Sequence, residues 1–326
     1  MASRPAGVPQ ESDFALEEAD VPSPGPGEVL VRTHWLSVDP YQRSRMSTAR
    51  SYAQGLEVGD VMTAQAVGEV VESNDPRYEA GDMALGQLGW QDYAVARGGS
   101  LRKVPSGIEP QLSLHVLGAT GLTAYFGILD VAKPVPGDTV VVSGAAGAVG
   151  SIAGQIARIM GCRTVGIAGG TEKMEDLREA YRYDEAVDYK ADGFMEAVKS
   201  ACPDGVDVYF DNVGGKISAA VHRYLNVGAR IAICGQVSQY NAERPEPTVN
   251  PAMLIVFRAK MQGFLVTDYA ARFSDAIPRL ARWVMNGDVR YRETVTDGLE
   301  NAPRAFVGML NGENRGKALV KVAEPS

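Results

Sequence analysis

The sequence predicts an α/β chain: a doubly wound parallel sheet joined to a second, β-rich domain. Three observations carry this. The first hundred residues read as short strands broken by glycine and proline. From about residue 115 strands and helices alternate, the pattern of a parallel sheet with crossover helices. A glycine-rich turn, residues 144–150, stands between the first strand and the first helix of that alternation. At about 150 residues per domain, 326 residues make two domains. The expected division is 1–115 with 287–326 for the β-rich domain and 116–286 for the alternating one.

The elements follow in order. The turn SPGPG, residues 23–27, precedes an alternating strand over Glu28–Leu36, with Val29 and Val31 on one face. Val67–Val71 is a second short β-rich run, and residues 81–96 read as strands separated by glycine turns. Thr139–Ser143 is a buried strand, and Ser151–Met160 a helix ending at Gly161. Arg163–Ala168 is the next strand, followed by a helix over Thr171–Tyr183 with Thr171 as its cap. Ala186–Tyr189, Val206–Phe210 and Arg230–Cys234 complete the parallel set. Phe273–Asn286 is an amphipathic helix. Arg290–Val295 and Lys317–Val322 are β-like, so the tail is expected to rejoin the first domain.

Composition narrows the classes. With 32 Lys and Arg against 40 Asp and Glu, the net charge is −8, which argues against a general nucleic-acid binder. Cys162, Cys202 and Cys234 lie far apart and form no CxxC pair, so neither a zinc lobe nor a disulfide framework is expected. His34, His115 and His222 share no metal-ligand spacing and read as structural. The run Thr139–Ala157 carries no charge, but its glycines mark a strand, a turn and a buried helix rather than a membrane span. No secretory signal is visible at the N-terminus, so the cytoplasm is the expected compartment.

The stretch VVVSGAAGAVGS, residues 140–151, carries the most chemistry. Aligned on the dinucleotide fingerprint, Ala145, Gly147 and Gly150 take the three glycine positions, the first being alanine. Gly147 lets the backbone approach a pyrophosphate, and the following helix offers its amides and positive dipole end. An NAD site places an acid at the end of the next strand, roughly 20 residues on. Here that region reads Ala168, Gly169, Gly170, Thr171, Glu172, Lys173. A carboxylate would repel a 2′-phosphate and the Lys173 ammonium attracts it, so NADP is favoured.

At the level of motifs the chain resembles the zinc-independent medium-chain dehydrogenase/reductase family, the alkenal, prostaglandin and curcumin-reductase-like enzymes. The resemblance runs through SVDPYQRSRM at 37–46, VGEVVES at 67–73, GWQDYAV at 89–95 and GLTAYFGI at 121–128. It continues through AAGAVGS at 145–151, YFDNVGG at 209–215, CGQVSQYN at 234–241, MQGFLVTDY at 261–269 and the tail at 298–322. It implies a Rossmann sheet plus a GroES-like β-domain, and a homodimer. It also implies NADPH-dependent reduction of a carbon–carbon double bond conjugated to a carbonyl.

Carried over by position, the resemblance assigns the pyrophosphate to Gly147, Ala148, Val149 and Gly150. Lys173 and Tyr189 would hold the adenosine phosphate end. Asn212, Cys234, Gly235, Ser238, Tyr240, Phe264, Leu265 and Val266 would line the groove toward the nicotinamide. Asn314 would reach the cofactor from the tail. Two departures fall near the expected substrate pocket: Thr120 stands where relatives often carry proline, and residues 48–60 match loosely.

No metal is expected, since Ser37 and Asp39 stand where zinc enzymes place a cysteine. Hydride delivered to the β-carbon of an enone leaves negative charge on the carbonyl oxygen, which a hydroxyl donor stabilises. Tyr240 is the leading donor and Tyr52 the second, with Tyr41 and Tyr269 weaker. Cys234, at a strand end, reads as a packing or cofactor contact rather than a nucleophile. Asp211 fits the cofactor groove better than an acid–base role, and Gln42-Arg43-Ser44-Arg45 reads as a solvated turn. The partner implied is a small α,β-unsaturated carbonyl compound, with neither nucleic acid nor membrane. Competing readings are a quinone oxidoreductase, a nucleotide-binding module without turnover and an alcohol dehydrogenase.

Overall fold

The computed structural model describes residues 1–49, 51, 53–242 and 250–324. It divides into two compact units, Met1–His115 with Glu293–Ser326, and Val116–Arg292. The return therefore falls at 292/293, where the sequence suggests 286/287.

The first unit opens with β1 (Glu28–Val38), the short helix α1 (Tyr41–Arg45), β2 (Gln65–Ser73), β3 (Met83–Gln87), β4 (Tyr93–Arg97) and β5 (Arg102–Lys103). The second unit carries α2 (Ala119–Phe126), β6 (Thr139–Ser143), α3 (Gly150–Ile159), β7 (Arg163–Ala168), α4 (Thr171–Glu175), β8 (Glu185–Asp188), α5 (Phe194–Ala201), β9 (Val206–Asp211), α6 (Gly215–Val221), β10 (Leu225–Ile233), α7 (Pro251–Phe257), β11 (Lys260–Gly263) and α8 (Phe273–Met285). The tail adds β12 (Glu293–Asp297), α9 (Ala302–Leu310) and β13 (Lys317–Lys321) to the first unit.

In the first unit seven strands form one sheet, ordered β12-β13-β1-β2-β3-β5 with β4 also paired to β1. The pairs of β1 with β2, β4 and β13 are antiparallel, and β12 runs parallel to β13. The tail thus inserts a strand beside β1, with Ser37 opposite Leu319. Phe14, Trp90 and Phe306 close the core around it: Phe14 stacks on Trp90 at 5.3 Å, and Trp90 meets the edge of Phe306 at 5.9 Å. Lys317 lies fully buried in this sheet. Its ammonium donates to the Val38 and Ala318 carbonyls at 2.7 and 3.0 Å and to Asp39 at 3.0 Å. Burial pushes its pKa down, and Asp39 pulls it back.

α1 departs from the solvated turn that its two arginines suggest. Gln42 and Arg43 are buried, and Arg43 donates to the Gly7 carbonyl at 2.9 Å. A guanidinium is tolerated inside when backbone carbonyls satisfy it, and the chain from 36 residues earlier supplies one.

In the second unit six parallel strands take the order β11-β10-β9-β6-β7-β8. All five residues of β6 are buried, and so are residues 150–157 of α3. This is why Thr139–Ala157 carries no charge: the strand is covered on both faces and the helix lies against the sheet. Ile152 and Ile156, both fully buried, contribute about 1.5–3 kcal/mol each from burial. α4 begins at Thr171 with Gly170 (φ +97°) in the cap position, where Thr171 is expected. Beyond Glu175 the coil widens: the Tyr181 amide reaches back five residues to the Asp176 carbonyl at 2.9 Å. Buried Asp176 is anchored there by Arg292 at 3.0 Å.

Candidate functional site

Parallel sheets present ligands beyond the carboxyl ends of their strands. In the second unit those ends are Ser143, Ala168, Asp188, Asp211, Ile233 and Gly263. The turn after β6 is the centre. Gly144 takes φ +60°, a conformation that favours glycine. A Cβ on Gly150 would stand 2.3 Å from the Gly144 carbonyl oxygen, so no side chain fits where α3 meets the turn. Ala145, the departure from the fingerprint, buries its methyl group completely. It faces Gly166 of β7, where an added Cβ would lie 3.1 Å from it. The volume that the fingerprint removes at 145 is removed here from the neighbouring strand.

No side chain caps α3 at Val149. Among the described residues the amides of Ala148 and Val149 have no backbone acceptor, and residues 147–149 are half-buried. Free amides at a helix start fit a pyrophosphate.

β7 and β8 build one side of this centre. β7 ends at Ala168 without an acid, and two glycines lead into α4. Asp188 pairs with Ala168 across the sheet, so an acid does arrive at this end. Its two oxygens accept the Gly170 and Lys190 amides at 3.1 and 2.9 Å, which fixes the turn. Three cations gather around it. Lys173 is half-buried; burial and then Lys190 lower its pKa, with Asp176 opposing. A Cβ on Gly169 would lie 2.7 Å from the Tyr189 ring and 3.0 Å from Lys190 Cε, so this glycine makes room for both. Lys216 stands 5.6 Å above the Tyr189 ring. This cationic end fits a 2′-phosphate. Sequence reasoning misses Lys190 and Lys216, because neither lies in a motif; only strand pairing and the helix after β9 bring them here.

β9 and β10 build the other side. Asn212 donates to the Ser143 carbonyl at 2.7 Å, bracing β6 against β9. The Cys234 and Gly235 amides reach the Asp211 carbonyl at 2.8 and 3.1 Å. Ser238 donates through its hydroxyl to the Val213 carbonyl at 2.7 Å. A Cβ on Gly235 would lie 3.3 Å from the Tyr240 hydroxyl, so that hydroxyl sits beside the end of β10. Burial, then Asp211, pushes the Cys234 thiol up to about 12, which leaves no thiolate at neutral pH. Phe264, Leu265 and Val266 follow β11 at the next strand end, with Phe264 edge-on to Phe210 at 6.3 Å.

The structure thus brings Asn212, Cys234, Gly235, Ser238 and Tyr240 together, and gathers Lys173 and Tyr189 at the opposite side of the turn. Asn314 belongs to the first unit, where its amide donates to the Gly316 carbonyl at 2.7 Å. Tyr52 lies outside the described residues. Tyr41 opens α1, and Tyr269 stacks on Phe126 at 4.6 Å within the second unit. His34, His115 and His222 are all buried. Among the described residues no three His, Cys, Asp or Glu side chains converge to hold a metal ion. No helix among them is long and apolar enough to cross a membrane.

A parallel six-stranded sheet with a glycine turn after its central strand, in a chain whose other unit is β-rich and takes back the tail, is the arrangement of two-domain nucleotide-dependent dehydrogenases and reductases. Comparison with known proteins fixes the family. Residues 1–104 match the model of an N-terminal domain of oxidoreductase, and 148–282 that of a zinc-binding dehydrogenase. The putative NADP-dependent oxidoreductase YfmJ of Bacillus subtilis (strain 168) is 49% identical, over 100% of this chain and 97% of its own. The NADPH-dependent curcumin reductase of Escherichia coli (strain K12) is 46% identical, over 99% and 96%. The crystal structure of CurA in complex with NADPH from Vibrio vulnificus superposes with a TM-score of 0.96 at 44% identity, covering 99% of this chain and 98% of that one. The chain belongs to the zinc-independent medium-chain dehydrogenase/reductase family, as an oxidoreductase of the alkenal, curcumin and prostaglandin reductase type.

Proposed function

We propose that the chain reduces the carbon–carbon double bond of α,β-unsaturated ketones or aldehydes with NADPH as the reductant, without a metal. The observation that carries it is the cationic end around Lys173, Tyr189 and Lys190 beside an uncapped helix start: together they suit a phosphorylated dinucleotide. The names of the relatives, curcumin reductase and 2-alkenal reductase, support the substrate class.

When bound, NADPH supplies a hydride. The chain's own residues do the rest. Gly147 to Gly150 receive the pyrophosphate, and Lys173 with Tyr189 the adenosine phosphate. Asn212, Cys234, Gly235, Ser238 and the run Phe264–Val266 wall the nicotinamide side, and Asn314 is assigned to cofactor contact by the family resemblance alone. Tyr240 donates its hydroxyl hydrogen bond to the substrate oxygen on which negative charge develops as the β-carbon is reduced; Tyr52, outside the described residues, is the second candidate donor. The enolate would then take a proton from solvent at its α-carbon, which completes the saturated carbonyl product.

The working form is a homodimer in the cytoplasm. β11 lies at the edge of the sheet, and Ile255 and Val256 of α7, preceding it, are 78% and 59% exposed. Such an edge with apolar neighbours suits a second copy.

Incubation with NADPH and a simple enone, followed by product identification, tests this reading. A saturated ketone supports it. Oxidation of NADPH only when a quinone is offered would replace it with quinone reduction, and binding without turnover would replace it with a nucleotide-binding role.

A further inference from the structure

The carboxylate of Asp211 is the most heavily bonded side chain at the site, and the chemistry above gives it no task. It is 1% exposed. Its Oδ1 accepts the Ser143 hydroxyl at 2.9 Å, the Tyr209 hydroxyl at 2.8 Å, and the amides of Val213 and Gly214 at 3.0 Å each. Its Oδ2 accepts the Ser218 hydroxyl of α6. Ser143 in turn accepts the Asn212 amide at 2.9 Å. Through its main-chain carbonyl Asp211 also accepts the Cys234 and Gly235 amides, and Ser238 donates to the Val213 carbonyl in the turn that the carboxylate orders. The buried carboxylate therefore fixes the end of β6, the 212–215 turn and the start of α6 directly, and reaches the 234–238 loop through that turn, whose Asn212 and Val213 carbonyls accept the Val237 and Ser238 amides.

All of these lie on the β9 and β10 side of the glycine turn. Lys173, Tyr189 and Lys190 lie on the β7 and β8 side, and the strand order puts β6 between them. A dinucleotide laid across the turn would meet the two sides with its two halves. The hydrogen bonds of a buried carboxylate are charge-assisted and stiffen what they hold.

We propose that Asp211 is a positioning residue for the nicotinamide half of the cofactor: it holds the β9 and β10 loops in their binding geometry and leaves the adenosine half alone. This rests on the NADPH reading above. It also explains why an acid stands in the groove yet is turned away from solvent.

The test is calorimetric binding of two probes, NADPH and 2′,5′-ADP, which carries the adenosine half with its 2′-phosphate. Asp211→Asn keeps the shape and removes the charge. The expected result is an NADPH Kd raised about tenfold, the scale of one charge-assisted hydrogen bond, with the 2′,5′-ADP Kd unchanged within about twofold. Should that variant fail to fold, Ser143→Ala removes one hydroxyl, with its bonds to Asp211 and to the Asn212 amide, and gives the same split, at about threefold. Equal weakening of both probes, or no change for NADPH, overturns the proposal. A wild-type protein that binds neither probe overturns the cofactor reading instead, so the two failures are told apart.

Discussion

Lys173→Ala is the sharpest perturbation of cofactor choice. The ammonium is half-buried in the first turn of α4, and burial and Lys190 already strain its charge. A phosphate dianion would relieve that strain. A hydrogen bond to a charged partner contributes about 1.5–3 kcal/mol, and tenfold in affinity is about 1.4 kcal/mol. Lys190 and Lys216 stay behind and share the load, so about 2 kcal/mol is the working figure, or about a 30-fold loss of NADPH affinity. NADH has no 2′-phosphate and should change by less than about twofold. Fluorescence titration of both nucleotides at fixed ionic strength reads the difference. pH gives a second handle. Because the Lys173 pKa is lowered in the folded protein, its charge is lost at a lower pH than that of an ordinary lysine. The preference for NADPH over NADH in the wild type should therefore fall as pH rises through that depressed value, and the variant should lack this step. Equal weakening of NADPH and NADH would refute the assignment of Lys173 to the 2′-phosphate.

Three further outcomes are expected. Tyr240→Phe should lower kcat by about 10²-fold, the scale of one lost oxyanion donor, with the NADPH Kd little changed; unchanged turnover would remove Tyr240 as a donor. Lys317→Met strands the Asp39 carboxylate beside β13 and should destabilise the protein by about 3 kcal/mol in urea titration, with Asp39→Asn added to it restoring part; a loss below about 1 kcal/mol would show that the pair is not a tight one. The Asp75 pKa is depressed from 3.8 to about 2, chiefly by the Arg77 side chain and then by its amide. Its contribution is full above the ordinary value and is lost as pH falls toward about 2, so Asp75→Asn should flatten acid unfolding over that window; an unaltered acid limb would contradict the pairing.

What the sequence makes legible are features whose cause is local. β6, the glycine turn and α3 announce themselves because a strand and helix buried together can carry no charge, and because one turn needs residues without side chains. The returning tail is readable from its β-like run, which pairs with β1 as the last strand. What stays hidden comes from chain distance. Asp188 and Lys190 reach the end of β7 only because β8 pairs with it, Ala168 opposite Asp188. Gly166 compensates Ala145 across a strand pair, and nothing in either local stretch announces it. Arg43 looks solvated until the Gly7 carbonyl is brought to it. The role of Asp211 is invisible for the same reason: Ser143 stands 68 residues earlier in the chain. Sequence pattern proposes the groove residues; the sheet decides which of them it brings to the same strand ends.

Isotope tracing tests the central claim most directly. Wild-type protein would be given an enone and NADPH carrying deuterium at the transferable C4 position, and the product read by NMR. The account predicts a saturated ketone with deuterium on its β-carbon. Deuterium on the carbinol carbon of an allylic alcohol would contradict it, since the chemistry would then be carbonyl reduction.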